Sequence, residues 1–163
     1  MIERNTWHAI TIAAVPSLSE VLVVVPTLGL RPDSLNEALT SIRGQNVAID
    51  IVIVAPTNSE SARSAAQRFE AQFVEDPGGL AAAINKGMEL RSPQHKFLTW
   101  LNDDDTWVPG SLPNTLSVLE RDPRAVVAFG WCEYVDAAGR TLWVSRAGRW
   151  AVRILNWGPD LIP

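Results

Sequence analysis

Three consecutive carboxylates, Asp103-Asp104-Asp105, follow Asn102 directly behind the apolar stretch Phe97-Leu98-Thr99-Trp100-Leu101. Like charges about 4 Å apart cost on the order of 1 kcal/mol per pair even in water, and more where water is excluded. A compensating cation is therefore expected beside them. An oxygen-rich cluster suits a hard divalent ion, Mg²⁺ or Mn²⁺, whose remaining coordination positions are filled by water and by a substrate's phosphates. The run thus predicts a metal site at the end of a strand and a nucleotide or phosphorylated ligand. With an extended backbone, Asn102 and Asp104 share one face and Asp103 and Asp105 the other, so one pair alone meets the ligand. The competing reading is a solvated acidic loop that caps the next helix.

Other chemistries find less support. Neither G-x-G-x-x-G after the first strand nor G-x-x-x-x-G-K-[ST] occurs, which argues against a nicotinamide dehydrogenase or a P-loop enzyme. His8 and His95 lie far apart without a ligand pattern and read as ordinary surface or satisfied histidines. Asp103 and Asp105 mimic the D-x-D-x-[TV] box of haloacid dehalogenase-like phosphatases, but Trp107 stands at the fifth position and also breaks a calcium-loop pattern. Six of the seven tryptophans fall within residues 100–163. Packing is the expected role for each, and Trp107, which borders the acidic run, is the best placed to meet a ligand.

The elements that position the run read as alternating strands and helices. Val21 to Val25 is a β-branched run suited to a strand buried on both faces, and Pro26, Gly29 and Pro32 place a loop behind it. Ser34-Leu35-Asn36-Glu37 has capping-box spacing, and Leu35, Ala38, Leu39 and Ile42 form one helical face that Gly44 ends. Ile49 to Ala55 is a second buried strand; Ala62, Ala65, Ala66 and Phe69 mark a second helix. Phe73-Val74 is a short strand, Leu80 to Met88 a third helix, and Phe97 to Leu101 a fourth strand. Such alternation predicts a mostly parallel sheet with ligands beyond its carboxyl ends, so loops 26–32, 55–59 and 102–106 are the site candidates. After a helix over 112–121, Val126 to Tyr134 and Thr141 to Ser145 read as strands flanking the turn Asp136-Ala137-Ala138-Gly139, an antiparallel hairpin.

A chain of 163 residues with 47% hydrophobic content supports one sizeable core, taken as residues 20–163 behind an N-terminal arm over 1–19. The net charge of −4 and the absence of a Lys/Arg block argue against nucleic acid as a partner. No apolar run approaches the roughly 20 residues that span a bilayer. Cys132, the single cysteine, excludes an internal disulfide or a thiolate zinc site, and a cytoplasmic location is expected.

Taken in order, these segments resemble family 2 glycosyltransferases of the GT-A fold, over about residues 20–163. Val23-Val24-Val25-Pro26-Thr27 is similar to the family's V-I-I-P-T, Leu35 to Gln45 to L-x-x-A-L-x-S-I-x-x-Q, and Gly78 to Gly87 to G-x-x-A-x-x-N-x-G. Leu101 to Asp105 with Pro109 and Leu112 resembles L-D-x-D-D…P…L, and Phe129 to Gly139 the hairpin that follows it. The resemblance implies a Rossmann-like α/β fold and transfer of a sugar from a nucleotide-sugar donor to an acceptor hydroxyl, with Mg²⁺ or Mn²⁺ bridging the diphosphate. It places Asp104 and Asn102 on the metal, Asn102 alternatively on the donor's ribose, and Pro26, Thr27 and Leu28 along the nucleotide, with Asp103 in the same nucleotide site.

Three departures refine that expectation. The family's Asp-Asp-Gly-Ser after the second strand is replaced by Ala55-Pro56-Thr57-Asn58-Ser59, so Asn58 or Thr57 is expected to take over the contact with the base. Asn102 replaces the first Asp, lowering charge while keeping an oxygen ligand. The chain also ends at Trp157-Gly158-Pro159-Asp160-Leu161-Ile162-Pro163, before the region that carries the acceptor site and catalytic base, which a missing C-terminal region or a partner chain would supply. Glu133 and Asp136 are the acidic groups nearest to a base, and solvated and turn roles are expected for them. The competing functions are a catalytically silent nucleotide or nucleotide-sugar binding module and a nucleotidyltransferase.

Overall fold

The computed structural model describes residues 19–146. The arm expected over 1–19 lies outside them up to residue 18, as do His8, Trp150, Trp157 and the ending over 156–163. Four strands, β1 (Val21–Pro26), β2 (Ile49–Ala55), β3 (Gln72–Glu75) and β4 (Phe97–Trp100), form one parallel sheet in the order β3-β2-β1-β4. Helices α1 (Pro32–Arg43), α2 (Glu60–Arg68) and α3 (Leu80–Met88) connect them, and α4 (Ser111–Arg121) follows β4. This is the α/β architecture that the alternating pattern predicts.

Both faces of the central strand are covered, and side-chain alternation assigns each residue to a layer. Val21, Val23 and Val25 point with Ile49, Ile51 and Ile53 into a core closed by Leu35, Ala38, Leu39 and Ile42 of α1, by Ala62, Ala65 and Ala66 of α2, and by Leu112 of α4. Leu22 and Val24 join Val52 and Val54 on the opposite face against Ala83 of α3. There the helix approaches closely. A Cβ on Gly87 would lie 2.4 Å from Val24 Cγ1, so a larger residue fits only if Val24 or the helix shifts.

From β1 the chain steps outward to β2 and β3, then returns to the other side of β1 to lay down β4. The strand order thus reverses between β1 and β4, and the carboxyl ends of strands at such a point are where open α/β sheets bind ligands. The acidic run stands at that switch point.

Local expectations differ from the structure in several places. Helix α1 begins at Pro32 with no side-chain cap, so Ser34 lies inside the first turn and the capping box does not form; the fixed φ of proline suits the first helical position. In the final part, only Cys132–Val135 (β5) and Thr141–Ser145 (β6) pair, antiparallel, while residues 125–130 carry no strand. Val126 and Val127 are exposed there, and β-branched composition without a neighbouring strand gives no ladder. The β5–β6 pair is held by Tyr134 stacked on Trp143 at 5.1 Å and by the Asp136–Gly139 turn. No helix among the described residues is long and apolar enough to cross a membrane.

Candidate functional site

The acidic run is not extended. Asp103 and Asp104 form a turn in which the Asp105 N–H reaches the Asn102 carbonyl at 3.3 Å, and the Asn102 amide donates to the Asp105 carboxylate at 3.0 Å. The two-face expectation is therefore corrected: Asn102 pairs with Asp105, and Asp103 converges with Asp104. What they converge on is a cation from the chain itself. Arg31, at the N-cap of α1, donates through Nη2 to Asp103 Oδ1 at 2.9 Å and through Nη1 to Asp104 Oδ2 at 2.8 Å. The hydrogen bond to Asp104, reinforced by the charges of Asp103 and Asp104, raises the pKa of Arg31 above its ordinary value.

The two carboxylates differ in setting. Asp103 is 7% exposed and also accepts from the Thr27 hydroxyl at 2.5 Å, whereas the Asp104 side chain is 47% exposed. Thr27 is itself buried and spent on structure. Its hydroxyl accepts the Gly29 N–H at 2.9 Å while its own N–H donates to Val54 of β2. One threonine thus ties the ends of β1 and β2 and the acidic turn together.

The loop after β1 also meets the loop after β2. Gly29, at φ +71°, packs so tightly that a Cβ would lie 1.9 Å from Ser59 Oγ, and its carbonyl accepts from Ser61 at 2.7 Å. Between these loops lies an open groove of about 450 Å³, lined by Leu28, Leu30, Pro56, Asn58, Ser59 and Glu60 among others. Leu28, Leu30 and Asn58 are exposed. Pro26 ends β1 and is buried beneath the loop. The structure therefore brings Leu28 and Asn58 to one groove, places Thr27 between that groove and the carboxylates, and sets Asn102, Asp103 and Asp104 beyond it.

Behind the turn, two side chains hold the chain in place, Ser41 of α1 and Gln45 just beyond its end. The buried Gln45 donates to the carbonyls of Ser41 (3.0 Å) and Val108 (3.1 Å) and accepts the Leu112 N–H at 3.0 Å; Ser41 Oγ accepts the Trp107 N–H at 3.0 Å. Trp107 packs half-buried against the core and so takes the packing role rather than that of an open stacking platform. Arg31, Ser41 and Gln45 are the residues that reading the sequence for chemistry leaves out. The available signal for Arg31 is a single basic residue within a candidate ligand loop, 72 positions from Asp103.

Elsewhere, His95 is a satisfied residue, as expected: Nδ1 accepts the Ser92 N–H at 2.9 Å, which leaves the Nε2 proton for Asp50 at 2.8 Å. Asp136 accepts the N–H groups of Ala138 and Arg140, both at 2.9 Å, and pairs with the Arg140 guanidinium. The Arg140 N–H foremost, then its side chain, hold the Asp136 carboxyl below the usual carboxylate range. Glu133 accepts from the Thr141 hydroxyl. Both acids serve the hairpin.

Chemically, the site offers two carboxylates that already share one cation, an adjoining amide oxygen and an open groove. No three acidic, histidine or cysteine side chains among the described residues form a metal cage. A hard cation that keeps waters and takes phosphate oxygens for its other positions needs only one or two carboxylates, so the donor set fits Mg²⁺ or Mn²⁺ in that mode.

Comparison with known proteins gives the same architecture. The model of Glycosyl transferase family 2 matches residues 22–160. Among solved structures, the chain is similar to the mannosyltransferase PcManGT from Pyrobaculum calidifontis, in complex with GDP-Man and Mn²⁺, at 22% identity and a TM-score of 0.55 over 79% of this chain and 39% of that one. It is also similar to 4-diphosphocytidyl-2C-methyl-D-erythritol synthase from Anaerococcus prevotii DSM 20548, at 10% identity and a TM-score of 0.54 over 80% of this chain and 65% of that one. The chain thus spans less than two thirds of either, and at these identities the likeness establishes the fold. No curated protein matches the chain.

Proposed function

Since the chain belongs to glycosyl transferase family 2, we propose that it forms the donor-binding part of a metal-dependent glycosyltransferase, which moves a sugar from a nucleotide-sugar to an acceptor hydroxyl. One observation carries this reading: the Asp103–Asp104 turn stands at the β1/β4 switch point beside the groove of Leu28 and Asn58. The binding of GDP-Man and Mn²⁺ by the similarly folded mannosyltransferase is consistent with it.

In this proposal Leu28 and the Pro26–Thr27 backbone line the nucleoside, and Asn58 supplies the polar contact to the base in place of an acid. Asp104, with the Asn102 amide oxygen, holds Mg²⁺ or Mn²⁺ against the diphosphate, and Asp103 anchors that end of the nucleotide site through Thr27. When bound, the metal offsets the negative charge that grows on the departing diphosphate. The chain's residues bind and orient the donor; Glu133 and Asp136 are committed to the hairpin and are not assigned as base. A cytoplasmic location is part of the same proposal.

The test is a thermal-shift panel of nucleoside diphosphates and nucleotide-sugars with and without Mn²⁺, because a ligand of the native state raises apparent stability by mass action. A shift with one nucleotide that requires the metal supports the reading and names the base. No Mn²⁺-dependent shift across the panel would overturn it. Release of nucleoside diphosphate in the presence of acceptors separates a transferase from a silent binding module, and release of pyrophosphate would indicate a nucleotidyltransferase instead.

A further inference from the structure

We infer that Arg31 is a resident counter-ion of the metal site, which must leave Asp104 before a divalent cation can bind there, so that metal and nucleoside diphosphate enter together rather than separately. The inference rests on the glycosyltransferase reading for the identity of the ligands, and on the structure for the competition. The guanidinium holds both carboxylates at 2.8–2.9 Å, one nitrogen to each, and so occupies the Asp104 oxygen that a metal held there would need. Two cations cannot share that space. Asp103 is buried and held by Thr27, so the acidic side of the contact is fixed; the Arg31 side chain is 54% exposed, so it is the group free to swing away.

Charge decides when it moves. The pair of carboxylates carries two negative charges, which Arg31 half neutralises. A divalent ion alone, with the guanidinium still nearby, would bring three positive charges to the three carboxylates Asp103, Asp104 and Asp105 and leave no excess negative charge to hold both cations. A nucleoside diphosphate adds two or three negative charges on its phosphate oxygens, with which the displaced guanidinium forms planar two-point hydrogen bonds of the kind arginine favours. Arg31 would give up Asp104 to the metal and move to the phosphates. Coupling of this kind is reciprocal: the factor by which nucleotide tightens metal binding equals that by which metal tightens nucleotide binding.

Arg31→Gln separates this role from a structural one, because it should move two affinities in opposite directions. Mn²⁺ alone, titrated calorimetrically into the 163-residue chain, is expected to bind the variant about fivefold or more tighter than the unsubstituted protein, within the range typical of coupled sites. In saturating Mn²⁺, GDP, UDP, ADP and CDP are then titrated, and the one that binds is expected to bind the variant more weakly. Arg31→Lys, which keeps the charge and cannot reach both carboxylates at once, should fall between the two. Circular dichroism checks that each variant is folded. Equal or weaker binding of Mn²⁺ alone to the folded Arg31→Gln chain overturns the inference. If no nucleoside diphosphate binds the unsubstituted chain with Mn²⁺, the glycosyltransferase reading fails, and the titration with Mn²⁺ alone still decides the role of Arg31.

Discussion

Asp103 and Asp104 share one guanidinium but sit in different surroundings, so neutralising each has its own expected outcome. Asp104 is half exposed, and its side chain accepts from Arg31. Asp104→Asn should leave the unfolding midpoint unchanged while Mn²⁺-dependent nucleoside diphosphate affinity falls about tenfold or more, given that a charged hydrogen bond contributes about 1.5–3 kcal/mol. Calorimetry measures it, and undiminished affinity would remove Asp104 from the metal site. Asp103→Asn should weaken the same binding, because Asp103 anchors the acidic turn to Thr27 at that end of the nucleotide site. Thr27→Val should also destabilise the fold by about 1–3 kcal/mol in urea unfolding, since it strips a donor from the buried Asp103 and an acceptor from the Gly29 N–H. An unchanged midpoint and slope would mean that the Thr27 hydroxyl contributes nothing to the join between β1 and the acidic turn.

Two elements set the height and angle of the site, and each depends on one small or polar residue. Just past the end of α1 stands Gln45, whose amide is shared among Ser41, Val108 and Leu112. Gln45→Leu should cost about 1–3 kcal/mol, because it leaves the Val108 carbonyl and Leu112 N–H without that partner, and it should also lower nucleotide affinity by letting the acidic turn shift. A stability loss with unaltered affinity would show that the turn holds its own shape. Helix α3 rests on β1 through Gly87, and Gly87→Ala should cost about 1–3 kcal/mol as the new methyl meets Val24; a neutral result in thermal unfolding would show that α3 yields. The β5–β6 hairpin has a pH signature. Asp136 is held below the ordinary carboxylate pKa, so its contribution is full above the unfolded value near about 3.9 and is lost as pH falls through the lower folded value. The Ala138 and Arg140 amide resonances should report this loss in an NMR titration. Amides that stay fixed through that range would show that the turn holds without the charge.

For the whole molecule, the expected behaviour is binding without efficient transfer. The described acids nearest to a base, Glu133 and Asp136, are engaged in the hairpin. General-base assistance typically contributes about 10² to 10⁴ in rate. Turnover at saturating donor and Mn²⁺ across an acceptor panel should therefore fall below the ordinary range of about 1 to 10³ per second while nucleotide binding persists. Rates within that range from this chain alone would show that it holds a complete active site.

The fold was legible in the sequence because its signals are local. A β-branched run bounded by Pro26 and the helical spacing of Leu35, Ala38, Leu39 and Ile42 specify a buried strand and the helix face that covers it, whatever lies elsewhere. The acidic run announced a cation for the same reason, since like charges adjacent in sequence repel in any fold. The identity of that cation was decided only in three dimensions. Arg31 reaches Asp104 across 73 positions because the chain returns past β1 to lay down β4, a crossover that no local pattern encodes. The turn at Asp103–Asp104 likewise depends on Thr27 and Arg31 arriving from another loop, which is why an extended reading of the run by itself paired the wrong side chains. Ser41 and Gln45 stand in the sequence as polar residues in and just after a helix otherwise read for its apolar face. Their work became visible once α1 lay against the loop that they hold. Residues 125–130 make the converse case: their β-branched composition is local, but a strand needs a neighbour, and pairing is a property of the folded sheet.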